Sequence, residues 1–75
     1  MITWNGFEGS FLGYICRCGE DPIAIYDRDQ MITTLMDRDG MEYSEAVEYL
    51  EFNTIGGWVG PETPGALVKC DIEDY

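Results

Sequence analysis

The sequence predicts a small α+β domain of ββααβ order, with a helical hairpin packed on a mainly antiparallel three-stranded sheet. Three observations carry this prediction. Residues alternate with strand period from Phe11 to Cys18, and a short β-branched run follows at Ile23 to Tyr26. Two apolar stripes at helical spacing lie either side of Gly40. A last alternating stretch, Ala66 to Cys70, follows Pro64-Gly65.

The chain is predicted to form one domain over residues 1–75, with 1–10 a lead-in and 71–75 an acidic tail that frays. In the lead-in, Trp4 and Phe7 flank Asn5-Gly6, with Glu8-Gly9 after them, and are expected to tuck onto the domain. In the first strand Leu12, Tyr14, Cys16 and Cys18 face one side and Phe11, Gly13, Ile15 and Arg17 the other. Both sides carry apolar groups, a pattern compatible with a central strand. Gly19-Glu20-Asp21-Pro22 supplies turn chemistry into the second strand, making an antiparallel hairpin. Asp27, with Gln30 three residues on, is a capping signal for the first helix. Its expected apolar stripe is Met31, Ile32, Leu35 and Met36, with Thr33 and Thr34 outward and Gly40 as a left-handed stop.

The second helix starts between Glu42 and Ser44, with Met41 placed to staple its first turn if Glu42 is the cap. Ala46, Val47, Leu50 and the ring of Tyr49 form its predicted buried side; Glu45, Glu48 and Glu51 step along the other. Asn53, the β-branched Thr54 and Ile55, and Gly56-Gly57 stop it. Trp58 follows on a glycine-rich turn and is expected to plug the end of the core, the alternative being an exposed anchor for a partner. The third strand returns to the sheet edge or between the first two. Ile72 and Tyr75 are the tail residues able to dock.

The stretch EAVEYLEFNTIGGWVGPETP, preceded by IYDRDQ and LMDRDGM, resembles a pattern in small proteins of tailed bacteriophages and prophages. That pattern is Glu-Ala-x-Glu-Tyr-x-x-Phe-Asn-x-x-Gly-x-Trp-Val-Gly-x-x-Thr-Pro. It covers about Pro22 to Val68 and departs at Leu50, Glu42 and Pro61. The resemblance implies a phage origin and a shared fold, and carries no activity with it.

Charge is the conspicuous feature: 15 acids against 4 bases and no histidine give a net charge of −11. Direct nucleic-acid binding is disfavoured, because Lys and Arg must replace phosphate counterions and only Arg17, Arg28, Arg38 and Lys69 are present. Anionic membranes are disfavoured for the same reason. No apolar run reaches the roughly 20 residues that span a bilayer, and the N-terminus lacks signal-peptide regions, so a cytoplasmic location is expected.

Three cysteines are too few for a disulfide framework. Cys16, Cys18 and Cys70 fall one short of the usual four zinc ligands, so no metal is expected and the thiols are read as buried. Asp37-Arg38-Asp39-Gly40 fails as a calcium loop, since Leu35 and Ala46 would occupy its first and twelfth positions. No serine or threonine has a histidine to activate it, and Gly56 to Gly60 follows a helix rather than opening one, so neither an enzyme nor a cofactor is expected.

Two functions remain. One is a phage-encoded inhibitor of a host protein, such as an anti-CRISPR or anti-restriction protein, that presents an acidic face to a basic, nucleic-acid-binding surface. Helix side chains three or four apart lie about 5–6 Å apart at Cβ, comparable to successive phosphates, so Glu45, Glu48 and Glu51 with Asp37 and Asp39 are candidate partner-binding residues, alongside Trp58. The other is a structural or assembly accessory, with a homodimer possible through an open sheet edge.

Overall fold

The computed structural model describes residues 1–74. The alternating stretch after the lead-in forms β1 (Phe11–Arg17), and β2 (Glu20–Asp27) returns antiparallel to it. The turn is tighter than expected. Gly19 takes a positive φ of 75°, so β2 already begins at Glu20 and absorbs residues predicted for the turn.

Helix α1 (Arg28–Asp39) starts where the capping signal predicts, the Asp27 carboxylate accepting from the N–H groups of Asp29 and Gln30 at 3.0 and 3.4 Å. It ends at Gly40, whose φ of 69° is the left-handed stop. Met31, Ile32 and Leu35 are buried, but Met36 is exposed because it falls at the stripe's rim where no element covers it. Helix α2 (Tyr43–Tyr49) is capped by Glu42, with Glu45 closing a reciprocal box. Ala46 and Leu50 are fully buried and Val47 is half-buried, as predicted; Tyr49 instead lies at the edge of that face and is exposed.

The helix then widens into a π-turn (Leu50–Thr54), closed by the Ile55 N–H donating to the Leu50 carbonyl at 2.7 Å. The extra residue per turn lets Leu50 and Ile55, five apart, both reach the core while Phe52 turns outward. Gly56 is required here: a Cβ on it would stand 2.5 Å from the Glu51 carbonyl oxygen.

Strand β3 (Gly65–Leu67) pairs parallel to β2, giving the order β1-β2-β3. Of the two positions open to the third strand, it takes the edge, and it is shorter than the predicted Ala66 to Cys70. β2 is therefore central and β1 is an edge strand, which corrects the expectation from its two apolar faces. Both helices cover the Ala24 and Tyr26 side of the sheet, where the core of Phe7, Met31, Ile32, Leu35, Ala46 and Leu50 lies. The lead-in folds onto this core as predicted: the Trp4 backbone N–H donates to the Tyr26 hydroxyl at 2.9 Å, and the two ring centroids lie 5.1 Å apart with the planes tilted by 37°.

Two burial expectations are overturned. Trp58 is 73% exposed, because the end of the core it was assigned is filled by Phe7, Trp4, Leu50 and Ile55. All three cysteines are exposed, Cys16 because it lies near the end of an edge strand, Cys18 because it lies in the hairpin turn, and Cys70 because it lies beyond β3. At the C-terminus a 3-10 turn spans Ile72–Asp74, with Ile72 exposed rather than docked; Tyr75 lies outside the described residues.

Candidate functional site

A concave surface runs along α2 and the π-turn. It has two halves that share Tyr49 and Asn53. The first, of about 410 Å³, is bounded by Met41, Glu45, Glu48 and Phe52. The second, of about 400 Å³, lies between the π-turn and the lead-in and is bounded by Ile2, Trp4, Phe7 and Val59. One half is rimmed by the Glu45 and Glu48 carboxylates; the other mixes the apolar groups with Thr3, Asn5, Asn53 and Thr54, and Tyr49 borders both.

Local sequence explains how each wall is held. Glu45 is fixed by the capping box, its Oε1 accepting from the Glu42 N–H at 3.4 Å. Met41, the predicted staple, packs on the core from the position before the cap. Phe52, 76% exposed, is turned to the rim by the π-turn. Val59 is held from below: its N–H donates to the Thr63 hydroxyl at 2.9 Å, and that hydroxyl donates to the Gly60 carbonyl at 2.6 Å. Buried Thr63 thus pins the Gly57 to Gly60 turn and keeps Trp58 pointing away from the domain.

The structure divides the predicted partner-binding residues. Glu45 and Glu48 are together on the groove. Glu51 leaves it, pairing with Arg28 at 3.0 Å across from α1. Asp39 pairs with Arg38 at 3.0 Å, and that guanidinium holds the Asp39 carboxyl below its usual range. Arg38 also donates to the Gly6 carbonyl at 2.8 Å and lies 5.6 Å from the Phe7 ring centroid. Asp37 is exposed on α1, and Trp58 projects beside Val59 without lining either half. A five-carboxylate track is thus broken by two arginines. Among the described residues no Lys or Arg pairs with Glu45 or Glu48.

Sequence reasoning assigned Tyr49 to the core and passed over Phe52 and Asn53 as site residues. The one signal for them was Phe52 three residues after Tyr49, which at helical spacing puts two rings on one side. Among the described residues no group of three His, Cys, Asp or Glu is placed to hold a metal ion, and no helix is long and apolar enough to cross a membrane. No family model, curated protein or solved structure matches the chain.

Proposed function

We propose that this is a binding protein rather than an enzyme, and that it docks on a basic surface of a protein partner through the α2 groove. The observation that carries this reading is the pair Glu45 and Glu48, free of cationic partners among the described residues, beside the exposed rings of Tyr49 and Phe52. A net charge of −11 adds long-range attraction to any basic patch and speeds encounter. With the phage-like sequence pattern, the partner is a nucleic-acid-binding protein of a bacterial host, and occlusion of its basic surface inhibits it in the cytoplasm.

The test uses a panel of purified bacterial nucleic-acid-binding enzymes, each assayed for capture and for DNA protection from nuclease. Wild-type capture should weaken steeply between low and high salt, and Glu48→Lys should abolish it while leaving the fold intact. Equal capture of the same enzyme by both proteins at both salts would refute the reading.

A second reading, a homodimeric structural or assembly accessory, rests on a different observation. β1 is an edge strand without an acid, and Leu12, Ile15 and Leu67 are exposed on or beside the sheet face away from the helices. Light scattering that gives a dimer mass, with β1 amides protected from exchange, would favour it.

A further inference from the structure

We infer that the cavity bounded by Trp4, Phe11 and Tyr26, with Glu8 and Thr3 completing its wall, binds a methylated ammonium group such as the head of choline or of trimethyllysine. The site lies where the lead-in meets β1 and β2. It goes beyond the basic-surface reading, sharing Trp4 and Thr3 with the second half of the α2 groove and nothing with the half that holds Glu45 and Glu48.

The three rings are set in place by the fold. Phe11 opposes Tyr26 in the β1–β2 register, and their centroids lie 5.5 Å apart with the planes at 75°. Trp4 is tied to the same tyrosine by its backbone N–H, and its ring is tilted by 37° to that of Tyr26. Planes in such different orientations do not close into one stack, and they border a cavity of about 250 Å³. Tyr26 is buried and forms its floor, Trp4 is half-buried, and Phe11, 43% exposed, is the outer wall. The volume falls below the roughly 300–1,000 Å³ of sites for drug-sized ligands and suits a compact head group.

The lining selects the charge and the substitution of the occupant. Aromatic faces attract cations through their quadrupoles, and Glu8 adds a full negative charge. Its Oε1 accepts from the Gly6 N–H at 3.2 Å, and backbone N–H groups at Glu8 and Gly6 hold its carboxyl below the usual range. Arg38 adds a smaller electrostatic pull, but its own hydrogen bonds go to Asp39 and the Gly6 carbonyl. Among the described residues no Lys or Arg forms an ion pair with Glu8. A primary ammonium brings three N–H donors and a guanidinium five, whereas three of the five lining side chains are rings. Entering here would strip such donors of water without replacing it. A methylated ammonium carries the charge under a shell of methyl groups and has few or no donors to satisfy. A neutral apolar group would gain nothing from Glu8.

The experiment titrates the isotope-labelled full chain with tetramethylammonium and follows the Trp4 indole N–H and the Phe11 and Tyr26 amides by NMR. Trp58, which does not line the cavity, is the reference. Saturable shifts at millimolar concentration, centred on these residues, are expected. Ammonium should bind at least roughly threefold more weakly than tetramethylammonium, and a neutral isostere of choline, with tert-butyl in place of trimethylammonium, at least roughly threefold more weakly than choline. Phe11→Leu should weaken tetramethylammonium binding roughly three- to tenfold and Glu8→Gln roughly two- to fivefold, the ranges of one cation–π contact and one exposed ion pair. Glu8 is exposed and the new amide still accepts from Gly6, so Glu8→Gln tests the site even if Phe11→Leu perturbs the fold. Choline and a trimethyllysine peptide then distinguish the sources: tighter binding of the peptide assigns the site to a modified protein tail, and equal or tighter binding of choline to a free head group. Equal binding of ammonium, equal binding of the isostere, or no saturable shift overturns the site and leaves the basic-surface reading standing. Glu48→Lys, outside the cavity, should leave the titration unchanged; a loss as large as that of Glu8→Gln would reduce the effect to overall charge and overturn the site as well.

Discussion

Replacing Leu50 with alanine tests the packing argument most directly, because Leu50 is fully buried and begins the π-turn that shapes the groove. Removing a buried leucine side chain beyond Cβ costs about 2–5 kcal/mol, depending on how far the cavity collapses. A 75-residue domain at roughly 0.05–0.15 kcal/mol per residue holds about 4–11 kcal/mol in total, so Leu50→Ala removes a large share of the stability. At about 4–8 °C per kcal/mol for a domain this small, the midpoint should fall by at least 8 °C. Trp58→Ala is the paired control. Its side chain is 73% exposed, and the expected change is within about 0.5 kcal/mol. Thermal melts by far-UV circular dichroism, with urea titrations to check that m is unchanged, measure both. The reasoning fails if Leu50→Ala melts within two degrees of the parent, or if Trp58→Ala loses as much as Leu50→Ala, which would put Trp58 in the core.

Gly56→Ala should destabilise by about 1–3 kcal/mol, since its Cβ would meet the Glu51 carbonyl oxygen at 2.5 Å; a neutral melt would show that the π-turn does not constrain this backbone. All three cysteines should titrate with Ellman's reagent in the folded protein, because each is exposed; a thiol that reacts only in denaturant would contradict its placement. The hydrogen bond from Lys69 holds the Asp27 carboxyl below its ordinary value and raises the Lys69 ammonium in return. For the acid the contribution is full above the ordinary carboxylate range and is lost as pH falls through the native value. For Lys69 it is full below the ordinary lysine value and is lost as pH rises through the raised one. Asp27→Asn should therefore flatten both limbs of a melting-temperature profile, and an unchanged profile would show the pair to be screened at this exposed lysine.

The sequence alone determined the elements whose causes are local. Asp27 and Glu42 cap because a carboxylate reaches N–H groups two or three residues on, and Gly40 stops α1 because its backbone tolerates a positive φ; each depends only on neighbours in the chain. The helix-pair and hairpin order followed from the period of the apolar residues, and with it the α+β class. Tertiary structure decided what each side chain meets. Cys16 is exposed because β3 joins β2 and leaves β1 at the edge, a choice made by pairings about 40 residues apart. Trp58 points outward because Trp4 and Phe7, from the far end of the chain, fill its expected place. Glu51 was indistinguishable from Glu48 until α1 brought Arg28 beside it, 23 residues away. Tyr49 ends α2 and Phe52 follows in the π-turn, and both rings stay exposed beside Glu48 because no other element arrives to cover them. Short-range sterics and hydrogen bonds can be read from neighbouring residues, but burial and charge pairing depend on which distant surface arrives.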